Sequence, residues 1–319
     1  YAGRAEEELA DPRIYCELLR QYSVLHPEFS YLPRKFKIAV TGSPTDRAAV
    51  ALHDIGLRMH RNDAGEMGFE VLVGGGQGRT PFIAHTIREW LAPEHVLSYV
   101  EAILRIYNIF GRRDNINKAR IKIIVNQMGI DKYRELVDEE WERIRDGALK
   151  LPQEEIDRID AYFAPPVYET LEDLTTELGA LRKADTDFDR WMGSNVIAHK
   201  IDGYSIVNIT LKAPGRVPGD INADDMDAIA DLADRYSLGE IRVSHRQNLT
   251  LVDVQQRDLH TLWQELDALT LATPNLGQLT DIICCPGLDY CNLANARSIP
   301  VADDINQHFL DVDHLALVG

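Results

Sequence analysis

The sequence predicts an α+β fold, and three observations predict it. Alternating apolar positions such as Phe69, Val71 and Val73 mark half-buried strands. Long helical stretches such as "PEHVLSYVEAILRIYNIFG" carry a proline near the start and a glycine after the end. Beyond about Asn195 the order becomes strand, helix, strand, strand, helix, most of a split βαβ unit.

Element by element, residues 1–30 read as a helix, "PRIYCELLRQYSVL", followed by a turn at Pro27. "LPRKFKIAVTG" reads as a strand that ends at Gly42. "AVALHDIGLRMHRN" and "GFEVLVGGG" read as two more strands joined by a turn at "NDAGE". After the long helix beginning near Pro93, a second is expected from about Ile116 to Met128, stopped by Gly129. A third, "DKYRELVDEEWERIRDG", is strongly charged and reads as a surface helix. Residues 148–190 are polar, hold Pro152, Pro165 and Pro166, and read as a domain connection. "YSIVNITLK" is then a strand and "APGRVPGD" a loop. "ADDMDAIADLADRYS" is an amphipathic helix with Met226, Ile229, Leu232 and Ala233 on one face. "EIRVSHRQNLTLVDV" is a strand pair folding at about Arg246 to Asn248, and "RDLHTLWQELDAL" is a closing helix. This second half is ferredoxin-like in its element order.

The bulk numbers narrow the function. A chain of 319 residues is long enough for two domains. Its net charge of −17, from 51 acidic and 34 basic side chains, argues against nucleic acid or anionic membrane as a partner. No apolar run reaches the roughly 18 residues of a membrane span. The opening "YAGRAEEELADPR" has no signal-peptide pattern, and without an initiator methionine Tyr1 is not expected to be the natural start. Four cysteines do not make a disulfide scaffold, so reduced cytoplasmic thiols or a metal site are the two readings.

Five stretches could carry chemistry. In "LPRKFK", a strand conformation would put Lys35 and Lys37 on one face and Arg34 and Phe36 on the other. Lysines on a solvated edge strand are the ordinary meaning of such a pattern. In "VLVGGGQGRTP", Gly74, Gly75, Gly76 and Gly78 precede Arg79, a loop whose backbone could approach a flat or charged ligand. It matches neither a dinucleotide fingerprint nor a P-loop. In "GRRDNINKARIK", Arg112, Arg113, Lys118, Arg120 and Lys122 form a cationic strip, either a solvated helix face or a cradle for a polyanion. In "RVSHRQN", Arg242, Ser244 and Arg246 alternate, a pattern suited to carboxylates or simply to a polar strand face.

The fifth stretch, "DIICCPGLDYCNLANARSIP", holds Cys284, Cys285 and Cys291. Cys285 and Cys291 are spaced C-x5-C, wider than the usual zinc pair. His199 or His245 could complete a zinc site, though no spacing favours it. The spacing suits an iron–sulfur cluster that takes further thiolates from elsewhere. Cys16 is remote and reads as a small buried hydrophobe.

These five stretches, in this order and over nearly the whole chain, resemble the sirohaem-containing nitrite and sulfite reductases, most nearly the bacterial assimilatory branch. The resemblance implies a sirohaem coupled to a 4Fe–4S cluster, and a six-electron reduction of sulfite to sulfide or nitrite to ammonia. It implies cluster ligands at C-x5-C and, later, C-x3-C, the last cysteine also ligating the sirohaem. Cys285 and Cys291 match the first pair, Cys284 is an extra neighbour, and the second pair would lie beyond Gly319. Lys35 and Lys37 match the family's two substrate-binding lysines; two further arginines would lie upstream of Tyr1. The chain is therefore expected to be an internal fragment, inactive alone.

Under the same resemblance, residues 1–165 are expected to be the first sirohaem-binding domain, 166–190 a linker, 191–272 the ferredoxin-like half domain and 273–319 the start of a second sirohaem/4Fe–4S domain. Sirohaem is polycarboxylated, so its pocket needs cations. Candidates are Arg34, Arg79, Arg112, Arg113, Lys118, Arg120, Lys122, Arg242 and Arg246, with Gly74, Gly75 and Gly76 at close approach. A crowded lysine pair would hold an oxyanion and pass protons to it. Electrons would come from ferredoxin or a flavoprotein, since no dinucleotide motif is visible. The rival readings are a non-enzymatic ferredoxin-like module with redox-sensing cysteines, and a small zinc site.

Overall fold

In the computed structural model, which describes residues 1–309, the chain divides into two compact units. One comprises Glu7–Val167 with Ala2; the other comprises Tyr1, Gly3–Glu6 and the chain from Tyr168 onward.

The Glu7–Val167 unit begins with helix α1 (Pro12–Ser23), whose N-terminal amide at Arg13 is capped by the Asp11 carboxylate. A short helix α2 (Pro27–Ser30) follows. Strands β1 (Ile38–Thr41), β2 (Ile55–Arg61), β3 (Met67–Val73) and β4 (His85–Leu91) form a sheet in that order. β1 runs parallel to β2, and the remaining pairs are antiparallel. Helices α3 (Val96–Phe110), α4 (Ile121–Met128), α5 (Ile130–Ile144) and α6 (Gln153–Tyr162) complete the unit. Ile55, Leu57, Phe69, Val71 and Val73 from the sheet join Tyr99, Ile103, Tyr133 and Val137 in one buried core.

Several local expectations change here. β1 starts only at Ile38, so Lys35 and Lys37 do not share a strand face. Pro33 has no N–H, and the pairing with β2 begins at Ile38↔Ile55. β4 carries no clean strand signature in the sequence, because a bulge against β3 breaks its alternation: Ile87 and Leu91 are buried, four residues apart. α4 begins at Ile121, five residues later than the sequence suggests, after a separate turn at Ile116–Lys118. The charged helix α5 is amphipathic and buries Tyr133, Val137 and Trp141.

The second unit opens with α7 (Thr175–Ala184) and α8 (Thr186–Asn195), which occupy much of the stretch read as connecting chain. Phe188 and Trp191 of α8 are fully buried, so this helix belongs to the core; polar neighbours hide the two aromatics in the sequence. Strands β5 (Val196–Ala198), β6 (Tyr204–Thr210), β7 (Ile241–Val243) and β8 (Asn248–Gln255) form an antiparallel sheet in the order β5-β6-β8-β7. Helices α9 (Ala223–Tyr236) and α10 (Leu259–Ala268) join the same core, and α11 (Ile299–Phe309) ends the described residues. On α9, Ile229, Leu232 and Ala233 are buried as expected, whereas Met226 is 55% exposed. β7 ends at Val243, so Ser244 and Arg246 lie in the turn and do not continue an alternating strand from Arg242. Among the described residues no helix is long and apolar enough to cross a membrane.

Candidate functional site

Three of the five stretches meet in the Glu7–Val167 unit, and Asp54 is where they meet. Its carboxylate is fully buried and accepts Arg120 Nε and Nη2, both at 2.8 Å. The same carboxylate accepts the Lys37 backbone N–H at 2.9 Å. The Asp54 carbonyl accepts Gly74 N–H at 3.0 Å. Burial pushes the Asp54 carboxyl above its ordinary range, against the pull of Arg120 and the Lys37 amide.

The glycines are required by what surrounds them. A Cβ at Gly75 would sit 2.4 Å from the Ala51 carbonyl oxygen and 2.7 Å from that of His53. Gly74 has φ +86, in the left-handed region. Lys122 is buried, and its ammonium donates to the carbonyls of Gly76 at 3.4 Å, Gln77 at 2.9 Å and Thr80 at 2.6 Å. Burial lowers its pKa, and the Arg120 charge adds to that. Lys122 therefore shapes the loop from within.

The segment before β1 lies along the cationic strip. Arg34 Nη1 donates to the Ile116 carbonyl, and Arg113 Nη1 donates to the Tyr31 carbonyl at 2.7 Å. Asn108 ties both sides, donating to Glu28 Oε2 at 2.6 Å and accepting from Arg113 at 2.8 Å. Arg112 pairs with Asp114. Lys35, Lys37, Arg79 and Lys118 are exposed, and among the described residues their side chains have no hydrogen bond or ion pair. The nine cations named from sequence in this unit, counting Lys35 and Lys37, thus separate into internally committed and solvent-facing groups.

The other two stretches meet in the second unit. Lys212 is 1% exposed, and its ammonium pairs with Asp281 Oδ1 at 2.5 Å and donates to the Arg246 carbonyl. Burial lowers the Lys212 pKa, with Asp281 opposing. Asp281 also accepts Asn248 Nδ2 at 3.2 Å and Gly277 N–H at 2.9 Å. Gln247 bonds both backbone groups of Cys284. Arg242 pairs with Glu240, and Arg246 is exposed. Cys284 is buried and its thiol pKa is raised by burial, then by Cys285; Cys285 is exposed, Cys291 is half-buried, and none is in a disulfide. Among the described residues no three or more His, Cys, Asp or Glu side chains cluster as a metal shell.

Asp54, Lys212, Asp281, Gln247 and Asn108 were not singled out from the sequence. Local spacing carries no signal for them, because Asp54 meets partners 17 and 66 residues away.

The family profile described as the nitrite and sulphite reductase 4Fe-4S domain matches residues 1–145, and that of the nitrite/sulfite reductase ferredoxin-like half domain matches residues 200–269. The chain belongs to the nitrite and sulfite reductase family. It is 25% identical to sulfite reductase [ferredoxin] 1 of Mycolicibacterium paratuberculosis, over 98% of this chain and 50% of that protein. It is 27% identical to the chloroplastic ferredoxin–nitrite reductase of Arabidopsis thaliana, over 96% of this chain and 48% of that one. The ferredoxin–nitrite reductase of Synechococcus elongatus is also 27% identical, over 95% and 54%. The chain thus spans about half the length of the curated relatives it matches. The solved structure of the Mycobacterium tuberculosis NirA protein superposes with a TM-score of 0.71 at 24% identity, covering 99% of this chain and 52% of that one. That likeness confirms the α+β fold of the family.

Proposed function

We propose that this chain is part of the catalytic subunit of a reductase that takes sulfite to sulfide or nitrite to ammonia, using a sirohaem and a 4Fe–4S cluster. The observation that carries the reading is the exposed pair Lys35 and Lys37, beside a glycine loop and a cationic strip in a chain of net charge −17. We assign residues 1–165 to the first sirohaem-binding domain, 191–272 to the ferredoxin-like half domain and 273–319 to the start of the second sirohaem/4Fe–4S domain.

The residues present fit these groups. A Cβ at Gly76 would fill space 3.0 Å from Lys122 Cδ and 3.3 Å from Arg120 Nη2, so the loop surface is open only to a residue without a side chain. Arg79 and Lys118 would hold carboxylates of the macrocycle, with Arg34, Arg112 and Arg113 beside them; within the second unit, Arg242 and Arg246 are the cations we assign to cofactor carboxylates. Arg120 and Lys122 serve the same pocket from behind, as framework. Cys285 and Cys291 would be cluster thiolates. The bound cofactors supply stepwise electron transfer.

The chain's own lysines do the rest. The two ammonium groups neutralise the oxyanion's charge and donate hydrogen bonds to its oxygens. They then release protons to those oxygens as each leaves as water, and are reprotonated from solvent. For sulfite, six electrons and six protons give sulfide and three waters; for nitrite, six electrons and eight protons give ammonium and two waters. The electrons come from a partner, which we take to be ferredoxin or a flavoprotein, and the protein works in the cytoplasm.

The test uses the full-length protein. Lys35→Ala and Lys37→Ala are expected to abolish reduction of sulfite and nitrite while iron and acid-labile sulfide content stays at the wild-type level. Full turnover in both variants would sink the reading. A colourless, iron-free protein from anaerobic cells able to make sirohaem would favour the redox-sensing module instead.

A further inference from the structure

Lys37 differs from Lys35 in a way that sequence spacing does not show. Its backbone is held on both sides: the N–H by the Asp54 carboxylate at 2.9 Å, the carbonyl by Ile55 N–H at 3.2 Å. Lys35 has no hydrogen bond among the described residues. The carboxylate that holds Lys37 is itself fixed, by two parallel bonds from Arg120 and by complete burial. Its main chain is tied to the glycine loop through Gly74. A lone carboxylate in that place would be costly, so Arg120 and Asp54 stand or fall together.

We propose that Asp54 is a positioning residue for Lys37, and that Arg120 acts through Asp54 and does not bind an anionic ligand itself. The inference rests on the reading of Lys37 as an oxyanion-binding lysine. A lysine side chain has several free torsions, and fixing its Cα shortens the search for a productive geometry. With two of its nitrogens on Asp54, Arg120 presents an ion pair to the site, not a net cation. Lys35 reaches the same substrate from an unpinned backbone and tolerates displacement better.

The experiment compares four forms of the full-length, cofactor-loaded protein: wild type, Asp54→Asn, the double variant Asp54→Leu with Arg120→Leu, and Lys37→Ala. Asparagine matches aspartate in size but turns an amide toward the guanidinium. The double variant replaces the buried pair with apolar side chains, an exchange folds often tolerate. In both Asp54 forms KM for the oxyanion is expected to rise about tenfold with kcat within about threefold, as loss of one charge-assisted hydrogen bond implies. Hydrogen exchange, measured without reductant, should quicken about tenfold in a peptide spanning residues 32–41 and stay unchanged in one spanning α3.

An unchanged KM and unchanged exchange in residues 32–41 overturn the inference. A lowered KM in Asp54→Asn also overturns it, because a freed Arg120 would then be binding the ligand directly. If Asp54→Asn speeds exchange in α3 as well, the double variant decides. Loss of the fold in both would mean that Asp54 serves only stability, and the inference falls. Lys37→Ala separates the two levels: no effect there sinks the reading of Lys37, while a large effect there with none at Asp54 sinks only the inference.

Discussion

The side-chain amide of Gln247 closes on the backbone of Cys284 from both sides. Nε2 donates to the Cys284 carbonyl at 2.8 Å, and the Cys284 N–H donates to Oε1 at 2.9 Å. The turn between β7 and β8 thereby holds the residue next to Cys285, a proposed cluster ligand. Gln247 itself sits at φ +59, so the turn stores some strain to make this contact.

Gln247→Ala removes both bonds and should cost about 1–2 kcal/mol of stability. Its sharper effect should be on the cysteine segment: less iron and acid-labile sulfide per chain in the full-length protein, with secondary structure unchanged by circular dichroism. Wild-type iron and sulfide content in this variant would show that the clamp does not matter for loading.

A second buried carboxylate, Asp253, sets the acid limit of the second unit. Its Oδ1 accepts Arg4 Nε at 2.8 Å, Tyr168 OH at 2.7 Å and His199 Nε2 at 3.2 Å. His199 Nδ1 accepts the Ile201 N–H, so Nε2 is the nitrogen that carries the proton. Burial raises the Asp253 pKa, but His199, Tyr168 and Arg4 outweigh it and the group titrates below its ordinary value. The folded state therefore takes up this proton less readily than the unfolded chain. The resulting stability is complete above the unfolded pKa and is lost as pH falls through the folded one, that is, below about pH 4. Asp253→Asn should be less stable at neutral pH by about 3 kcal/mol and lose less on acidification. Denaturant titrations across that range check it; parallel pH curves for the two proteins would refute it.

The cysteines should differ in reactivity. Cys16 borders a hollow of about 250 Å³ walled by Leu19, Phe29, Phe36, Ile38 and Val40. Cys16 is exposed at the surface, not the buried residue the sequence suggests, but desolvation by the walls of this hollow, and then the Asp11 charge, push its thiol up to about 11. Iodoacetamide at pH 8, followed by peptide mass spectrometry on cofactor-free protein, should label exposed Cys285 ahead of Cys16, whose raised thiol stays protonated, and ahead of buried Cys284. Labelling of Cys16 as fast as Cys285 would contradict this account of its surroundings.

The elements legible in the sequence were those whose own periodicity decides them. β3 alternates cleanly, α3 has Pro93 before it and Gly111 after it, and the β6–α9–β7–β8–α10 order carries the ferredoxin-like half. Elements shaped by distant partners were not legible. β4 is bulged against β3, and α8 hides Phe188 and Trp191 among acidic neighbours. The same division holds for the candidate site. Exposed lysines, glycines and cysteines stand out as residue types, whereas Asp54 and Lys212 matter only through partners far along the chain. Charge runs also conceal roles: Arg120 and Lys122 look alike in "NKARIK", yet one meets a carboxylate and the other three carbonyls.

The Arg4–Asp253 pair has a bearing on the order in which this chain can fold. Gly3–Glu6 belong with the residues from Tyr168 onward, and Glu7–Val167 form a body of their own between them. During synthesis the intervening body can close as soon as α6 has emerged. Residues 3–6 can pair earlier with the chain near β5, where Ala5 bridges His199 and the Arg4 carbonyl accepts the Lys200 N–H, but the Arg4 side chain waits for Glu240 and Asp253. The last-made strand of the second sheet is thus what finally fixes that guanidinium.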